Sequence, residues 1–203
     1  AAGARSGDDV RPPPGWNSGY EYTEGGGAGA DAFLVMSEAR ARDLGLPYVQ
    51  VRGATERHNA YADDPIMVRG GWRMDRDDLY AMAGVGPGAI DFIQTYDDYP
   101  VVVMMHFEDL GFCNKGEGPD FVRQKALTWD GDFPNNTSGG QLSVGQAGAA
   151  GGFLGMVEAL RQLTGAAGDR SVPGATTGLV CGFGMVTYDR CLCTGAVILG
   201  AAA

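Results

Sequence analysis

The stretch Asn136-Thr137-Ser138-Gly139-Gly140-Gln141-Leu142-Ser143-Val144-Gly145-Gln146-Ala147-Gly148 decides how this chain is read. It is rich in glycine and runs directly into residues 146–164, where Phe153, Met156, Val157, Leu160 and Leu163 recur at three- and four-residue spacing. That spacing predicts an amphipathic helix, with Gly165 as its stop. A glycine-rich loop entering a helix amino terminus presents backbone N–H groups and the positive end of the helix dipole, which suits developing negative charge. A tight loop with a capped helix would use the same residues, so the loop by itself leaves both readings open.

Upstream, residues 90–95 read as a strand. Pro100 is suited to a first helical turn, with Asp97 or Asp98 before it as cap, and residues 101–111 (VVVMMHFEDLG) are expected to be helical. Further back, residues 32–36 are a short apolar run suited to a strand. Ser37 then caps a helix that Gly45 ends, and residues 48–52 alternate as a strand does. Asp75 or Asp77 is placed to cap a helix through residues 79–82, stopped by Gly84. Downstream, residues 178–186 and 194–199 close the chain as apolar segments. Strands and helices interleave throughout, which predicts a layered α/β domain over residues 31–203 with a mixed central sheet flanked by helices. Residues 1–30, with Pro12-Pro13-Pro14 and Gly25-Gly26-Gly27, read as a lead-in or linker.

Composition excludes several classes. The chain has 203 residues, 44% hydrophobic and 20% charged, so it is neither disordered nor fibrous. Its net charge of −10 lacks the basic footprint that nucleic-acid binding needs. No long apolar run marks a membrane span and no secretory signal is visible, so a cytoplasmic location with reduced thiols is expected for Cys113, Cys181, Cys191 and Cys193. Glycine, at 34 residues, is well above its ordinary frequency and implies tight turns and close backbone packing.

The glycine-rich stretch resembles the thiolase superfamily, whose members carry Asn-x-x-Gly-Gly followed by Gly-His-Pro at this spacing. Here the Asn is Asn136, the paired glycines are Gly139 and Gly140, and the next glycine is Gly145. Gln146 stands at the His position and Ala147 at the Pro position. Two further boxes follow the family's order. A strand leading into Tyr96-Asp97-Asp98-Tyr99, then HFEDLGFCNKGEG, is similar to the second box in its sterol-carrier form. Tyr188-Asp189-Arg190-Cys191-Leu192-Cys193-Thr194-Gly195 matches the Cys-x-Gly segment before the last strand. The resemblance covers roughly residues 30–200, the second of the family's two similar halves, and the half that carries the nucleophilic cysteine is not among them.

The departures carry the chemistry. Gln146 can donate a hydrogen bond but cannot take a proton as the family's His does. Tyr96 replaces the Asn or His of the second box. The acid/base Cys of the third aligns with Tyr188, while Cys191 lies close enough that a small gap would restore it. Within the superfamily, the chain looks like the thiolase-like enzymes that cleave steroid side-chain thioesters by retro-aldol chemistry. Those enzymes use a tyrosine at the position of Tyr96 and work with a small OB-fold partner of the DUF35 type. Their second catalytic tyrosine falls at Gln146. The resemblance therefore implies an acyl-CoA thioester as substrate, no bound cofactor and a thiolase-type dimer. It assigns catalysis to Tyr96, Gln146, Tyr188 and Cys191, and substrate or oxyanion binding to Asn136, Gly139, Gly140 and Gly145. Acyl transfer with the cysteine nucleophile on a missing half or partner chain is an alternative, as is a non-catalytic subunit.

Other polar residues have plainer roles. Asp97 and Asp98 are expected as caps, Glu108 and Asp109 as solvated or capping charges, His106 as a satisfied core histidine and His58 as a surface residue. With two histidines and no second paired-cysteine motif, no metal site is expected around Cys191 and Cys193.

Overall fold

The computed structural model describes residues 32–145, 148–187 and 190–202. The loop Oγ of Ser37 accepts the Arg40 N–H at 3.3 Å and opens α1 (Glu38–Asp43). Gly45 then turns the chain with φ 63°. Both ends match the expected cap and stop. Residues 32–36, expected as a strand, form none. Leu34 and Val35 are exposed there, and an apolar run becomes a strand only where a neighbour accepts its ladder of hydrogen bonds.

The sheet is built on a long pairing. β1 (Val49–His58) extends well past the five residues its alternation predicted, because it pairs antiparallel with β4 (Arg190–Ala201) from Val49↔Ala201 to His58↔Cys193. β3 (Thr177–Thr187) lies antiparallel to β4 on its other side, and β2 (Phe92–Gln94) lies parallel to β3. The order is β1-β4-β3-β2, a mixed sheet.

Helices cover both faces. On one, α2 (Trp72–Ala83) and α3 (Pro100–Asp109) bury Trp72, Leu79, Val102, Met105 and Phe107 against Ile93, Leu179 and Ile198. On the other, α6 (Leu154–Leu163) sets Ala159 and Leu163 against Phe92, Val180 and Leu199. Each large side chain buried in this way stabilises the fold by about 1.5–3 kcal/mol. The approach of α2 requires Gly53 in β1: a Cβ there would stand 2.7 Å from the Leu79 carbonyl oxygen. On the same side of the sheet as α3, α4 (Gly118–Gln124) is held to it by a knot of rings. Phe107, Phe121 and Phe133 lie with centroids 4.9–5.3 Å apart, two of the three pairs edge to face.

Three expectations change. α2 starts at Trp72 behind Gly71, with no side-chain cap, and Asp75 is instead buried inside it, accepting from Arg57 Nε at 2.7 Å. The single helix expected over residues 146–164 is two pieces, a 3-10 turn over Gly148–Phe153 and α6, and the glycine-rich stretch read as a loop before it holds a short helix of its own, α5 (Gly140–Val144). Glycines 148, 151 and 152 explain the break, since each costs about 1 kcal/mol relative to alanine inside an α-helix. Its buried stripe is also partly polar, consisting of Glu158, Ala159, Gln162 and Leu163, while Phe153 is exposed.

Glu108 and Asp109 are buried, not solvated. Glu108 accepts the Gly118 N–H at 2.9 Å and Asp109 the Gly70 N–H at 2.7 Å, so one turn of α3 ties down two loops. Lys115 Nζ lies 3.0 Å from Glu108 and 2.8 Å from Asp109 and offsets their charge. Burial alone would push the Glu108 carboxyl upward, but Lys115 and the amides of Gly118 and Gly116 outweigh it and hold its pKa below the ordinary value. Among the described residues no helix is long and apolar enough to cross a membrane, and all four cysteines are free.

Candidate functional site

The carboxyl end of β2 and the loop before α5 meet edge to edge. The Ile93 N–H donates to the Pro134 carbonyl and the Asn136 N–H to the Ile93 carbonyl, at 2.9 and 3.0 Å, forming a short parallel bridge between Ile93 and Asn135. The Asn136 Oδ1 accepts the Thr95 N–H at 2.7 Å, and Asn135 Oδ1 accepts the Thr95 hydroxyl at 2.9 Å. The two boxes that sequence placed 40 residues apart are therefore one structural unit, with Tyr96, Asp97 and Asp98 leaving the strand just beyond it.

Asp97 crosses to the glycine-rich loop. Its Oδ1 accepts the Gln141 N–H at 2.7 Å, at the start of α5. Gly139, Gly140 and Asn136 all have positive φ, at 101°, 68° and 49°. At Gly140 no other residue fits, since a Cβ would come within 2.0 Å of Asp97 Oδ2. Burial raises the Asp97 pKa above its ordinary value, while bonds from the amides of Gln141, Leu142 and the Asn136 side chain partly restrain it. Asp97 is a cap, as expected, but of α5 and not of α3, whose N-cap is Tyr99 without a side-chain bond. The Gln141 amide at the helix start is accordingly engaged within the protein.

Asp98 has a different partner. The Tyr96 hydroxyl donates to Asp98 Oδ2 at 3.3 Å. Burial raises the Asp98 pKa; the Tyr96 bond opposes the shift and the nearby Asp97 charge adds to it. Tyr96 is half-buried, its ring 5.2 Å from Phe183 of β3, which in turn stacks at 6.0 Å on Trp72. A phenol beside a carboxylate at a strand end is an arrangement that can shuttle a proton.

Beneath the loop lies a buried polar cluster. The Thr137 hydroxyl donates to Glu158 Oε1 at 2.7 Å and accepts from Gln94 Nε2 at 3.1 Å and Gln162 Nε2 at 3.0 Å. One donor and two acceptor sites are all that a hydroxyl has, so Thr137 is saturated. Arg170 completes the cluster, bonding Glu158 Oε1 at 3.1 Å and the Thr137 carbonyl at 2.9 Å. This ties α6 to β2 through the loop that carries Asn136. Polar residues on a helix expected to be apolar on that face were the available signal for it.

The remaining site residues separate. Gln146 and Tyr188 lie outside the described residues. Gly145 follows α5 with φ 102° and donates to the Gln141 carbonyl at 2.9 Å. Cys191 is buried in β4, with Sγ directed to the Cys193 carbonyl at 3.4 Å, and burial, then the neighbouring Cys193, pushes its thiol up to about 11. His106 is fully buried against the edge of Trp72, with ring centroids 4.3 Å apart, but it is not satisfied: neither ring nitrogen has a hydrogen-bond partner among the described residues. Desolvation lowers its pKa to about 3, so the ring stays neutral.

Known proteins share this architecture. The family described as thiolase C-terminal domain-like matches residues 53–198. A steroid side-chain-cleaving aldolase from Thermomonospora curvata is 33% identical over 183 residues, covering 85% of this chain and 44% of that protein. A 17-hydroxy-3-oxo-4-pregnene-20-carboxyl-CoA lyase from Mycobacterium tuberculosis is 34% identical over 147 residues, covering 68% of this chain and 36% of that one. Among solved structures, an Ltp2-ChsH2(DUF35) aldolase superposes with a TM-score of 0.67 at 31% identity, over 81% of this chain and 42% of that chain. The chain thus spans less than half the length of the curated relatives it matches.

Proposed function

This chain belongs to the thiolase C-terminal domain-like family, and we propose that it serves in retro-aldol cleavage of a β-hydroxyacyl-CoA, with a steroid or lipid side chain as the acyl group. The observation that carries the proposal is the Tyr96–Asp98 contact at the end of β2, beside the loop of Asn136, Gly139 and Gly140. Two relatives above 30% identity are named as an aldolase and a carboxyl-CoA lyase, which supports carbon–carbon cleavage over thiolysis.

In this mechanism Tyr96 takes the proton of the substrate β-hydroxyl as its own phenolic proton passes to Asp98. The oxygen's electrons form a carbonyl, the bond between the α and β carbons breaks, and the electron pair passes into the thioester as an enolate. The raised pKa of Asp98 suits it to hold the proton and return it through Tyr96 to the α carbon. The products are a ketone and a shortened acyl-CoA. Gln146 and the Gly139–Gly145 loop together supply the oxyanion site for the enolate oxygen. Asn136 and Asp97 act as positioning residues. No resident cofactor is required, and coenzyme A enters as part of the substrate. The active assembly contains a small OB-fold partner of the DUF35 type, includes a thiolase-type dimer and works in the cytoplasm.

Acyl transfer would instead need a cysteine nucleophile from outside this chain and an acid/base at Tyr188 or Cys191. The burial of Cys191 and its thiol pushed up to about 11 oppose that role for Cys191. The decisive comparison is Tyr96→Phe in the assembled enzyme. Cleavage of a β-hydroxyacyl-CoA is expected to slow by about 10²–10⁴-fold with little change in KM. Cleavage at the unaltered rate would end the proposal, and inertness of the unaltered protein with every partner present would favour a structural subunit.

A further inference from the structure

Away from Tyr96, the pairing of β1 with β4 assembles three side chains that sequence left apart. His58 stands directly opposite Cys193, and Glu56, two residues earlier on the same face, stands opposite Gly195. His58 Nε2 lies 3.8 Å from Cys193 Sγ and 2.5 Å from Glu56 Oε1, and Cys193 Sγ lies 4.0 Å from Glu56 Oε1. All three donor atoms fall within 4.8 Å of one another.

We propose that Glu56, His58 and Cys193 form a binding site for a divalent cation of borderline softness, zinc above all. The donor set is one imidazole, one thiolate and one carboxylate, the mixture zinc accepts in sites that keep an open fourth position for water. Zinc bonds of about 2.0–2.3 Å at tetrahedral angles place ligand atoms roughly 3.4–3.6 Å apart. The two contacts to sulfur are within about half an ångström of that spacing. The histidine–carboxylate contact is shorter, as a direct hydrogen bond is, and Glu56 is exposed and can swing aside. Two cross-strand partners of the donors are glycine: Gly184 pairs with Cys193 and Gly195 with Glu56, so neither of these positions adds a side chain beside the donors. Charge also closes. A thiolate and a carboxylate neutralise the dication, and binding releases the thiol proton to solvent.

The test uses the full chain, reduced, titrated with Co²⁺ and then with Zn²⁺ in competition with a chromophoric chelator. One equivalent should bind with a thiolate-to-cobalt charge-transfer band, zinc should displace the cobalt, and about one proton should be released per ion. His58→Ala and Cys193→Ser should each weaken zinc binding by about tenfold or more, while Cys113→Ser should not. Absence of the charge-transfer band, or unchanged affinity in Cys193→Ser, would overturn the assignment. The outcome is independent of the aldolase reading, since none of the three residues takes part in it.

Discussion

Replacing Thr137 with valine keeps the shape of the side chain and removes only the hydroxyl at the centre of the cluster beneath the site. Three bonds are affected, and they are unequal. The 2.7 Å bond to Glu158 is made to a charged acceptor and contributes about 1.5–3 kcal/mol. Gln94 is buried and loses the acceptor of an amide hydrogen, a further cost of about 1–3 kcal/mol. Gln162 loses little, because its amide also reaches Glu158 at 3.0 Å and the Arg170 carbonyl at 2.9 Å. The added methyl returns about 0.8 kcal/mol. The net destabilisation is about 3 kcal/mol. In urea, with a slope of about 2 kcal/mol per molar, the unfolding midpoint should fall by about 1.5 M. Thr137→Ser, which keeps the hydroxyl, should recover most of it. A midpoint for the valine variant within about 0.3 M of the unaltered chain, or a serine variant as unstable as the valine one, would refute the claim that this hydroxyl joins α6 to β2.

Two titratable residues, Asp98 and His106, yield further expectations. Asp98 has a folded pKa above its unfolded value, so its contribution to stability is fully present below the ordinary carboxylate range and is lost as pH rises through the folded value. Asp98→Asn should therefore raise the melting temperature at neutral pH while slowing turnover and abolishing the acid limb of the pH–rate profile; an unchanged profile would remove Asp98 from the relay. For His106 the sign is the reverse. Its pKa falls from 6.5 to about 3, so the folded state loses stability as pH drops through that window. His106→Leu should flatten the acid limb of a stability–pH curve and be neutral or stabilising at pH 7, because it removes two buried nitrogens without partners. A steeper acid limb in that variant would contradict the burial argument.

Much of this chain was legible from local pattern. Ser37 and Gly45, Gly84, Pro100 and the paired glycines 139 and 140 act within a few residues of themselves, through caps, fixed φ or absent Cβ atoms. Sequence spacing reports such effects directly. The α/β layering followed from such local signals, and the family from the resemblance of the stretch around Asn136, Gly139, Gly140 and Gly145 to the thiolase motif. Where expectation failed, a partner was distant. Residues 32–36 have the composition of a strand but lie outside the sheet, and β1 runs on through polar residues because β4 pairs with it. Asp97 caps a helix 44 residues away, and Glu108 and Asp109 are buried because Lys115, Gly118 and Gly70 come to them. Residue types and turns are local properties of the chain. Which carboxylate meets which amide, and which cysteine faces His58, depends on strand register and layer packing between distant segments, His58 and Cys193 being 135 residues apart. Only the folded chain brings those segments together.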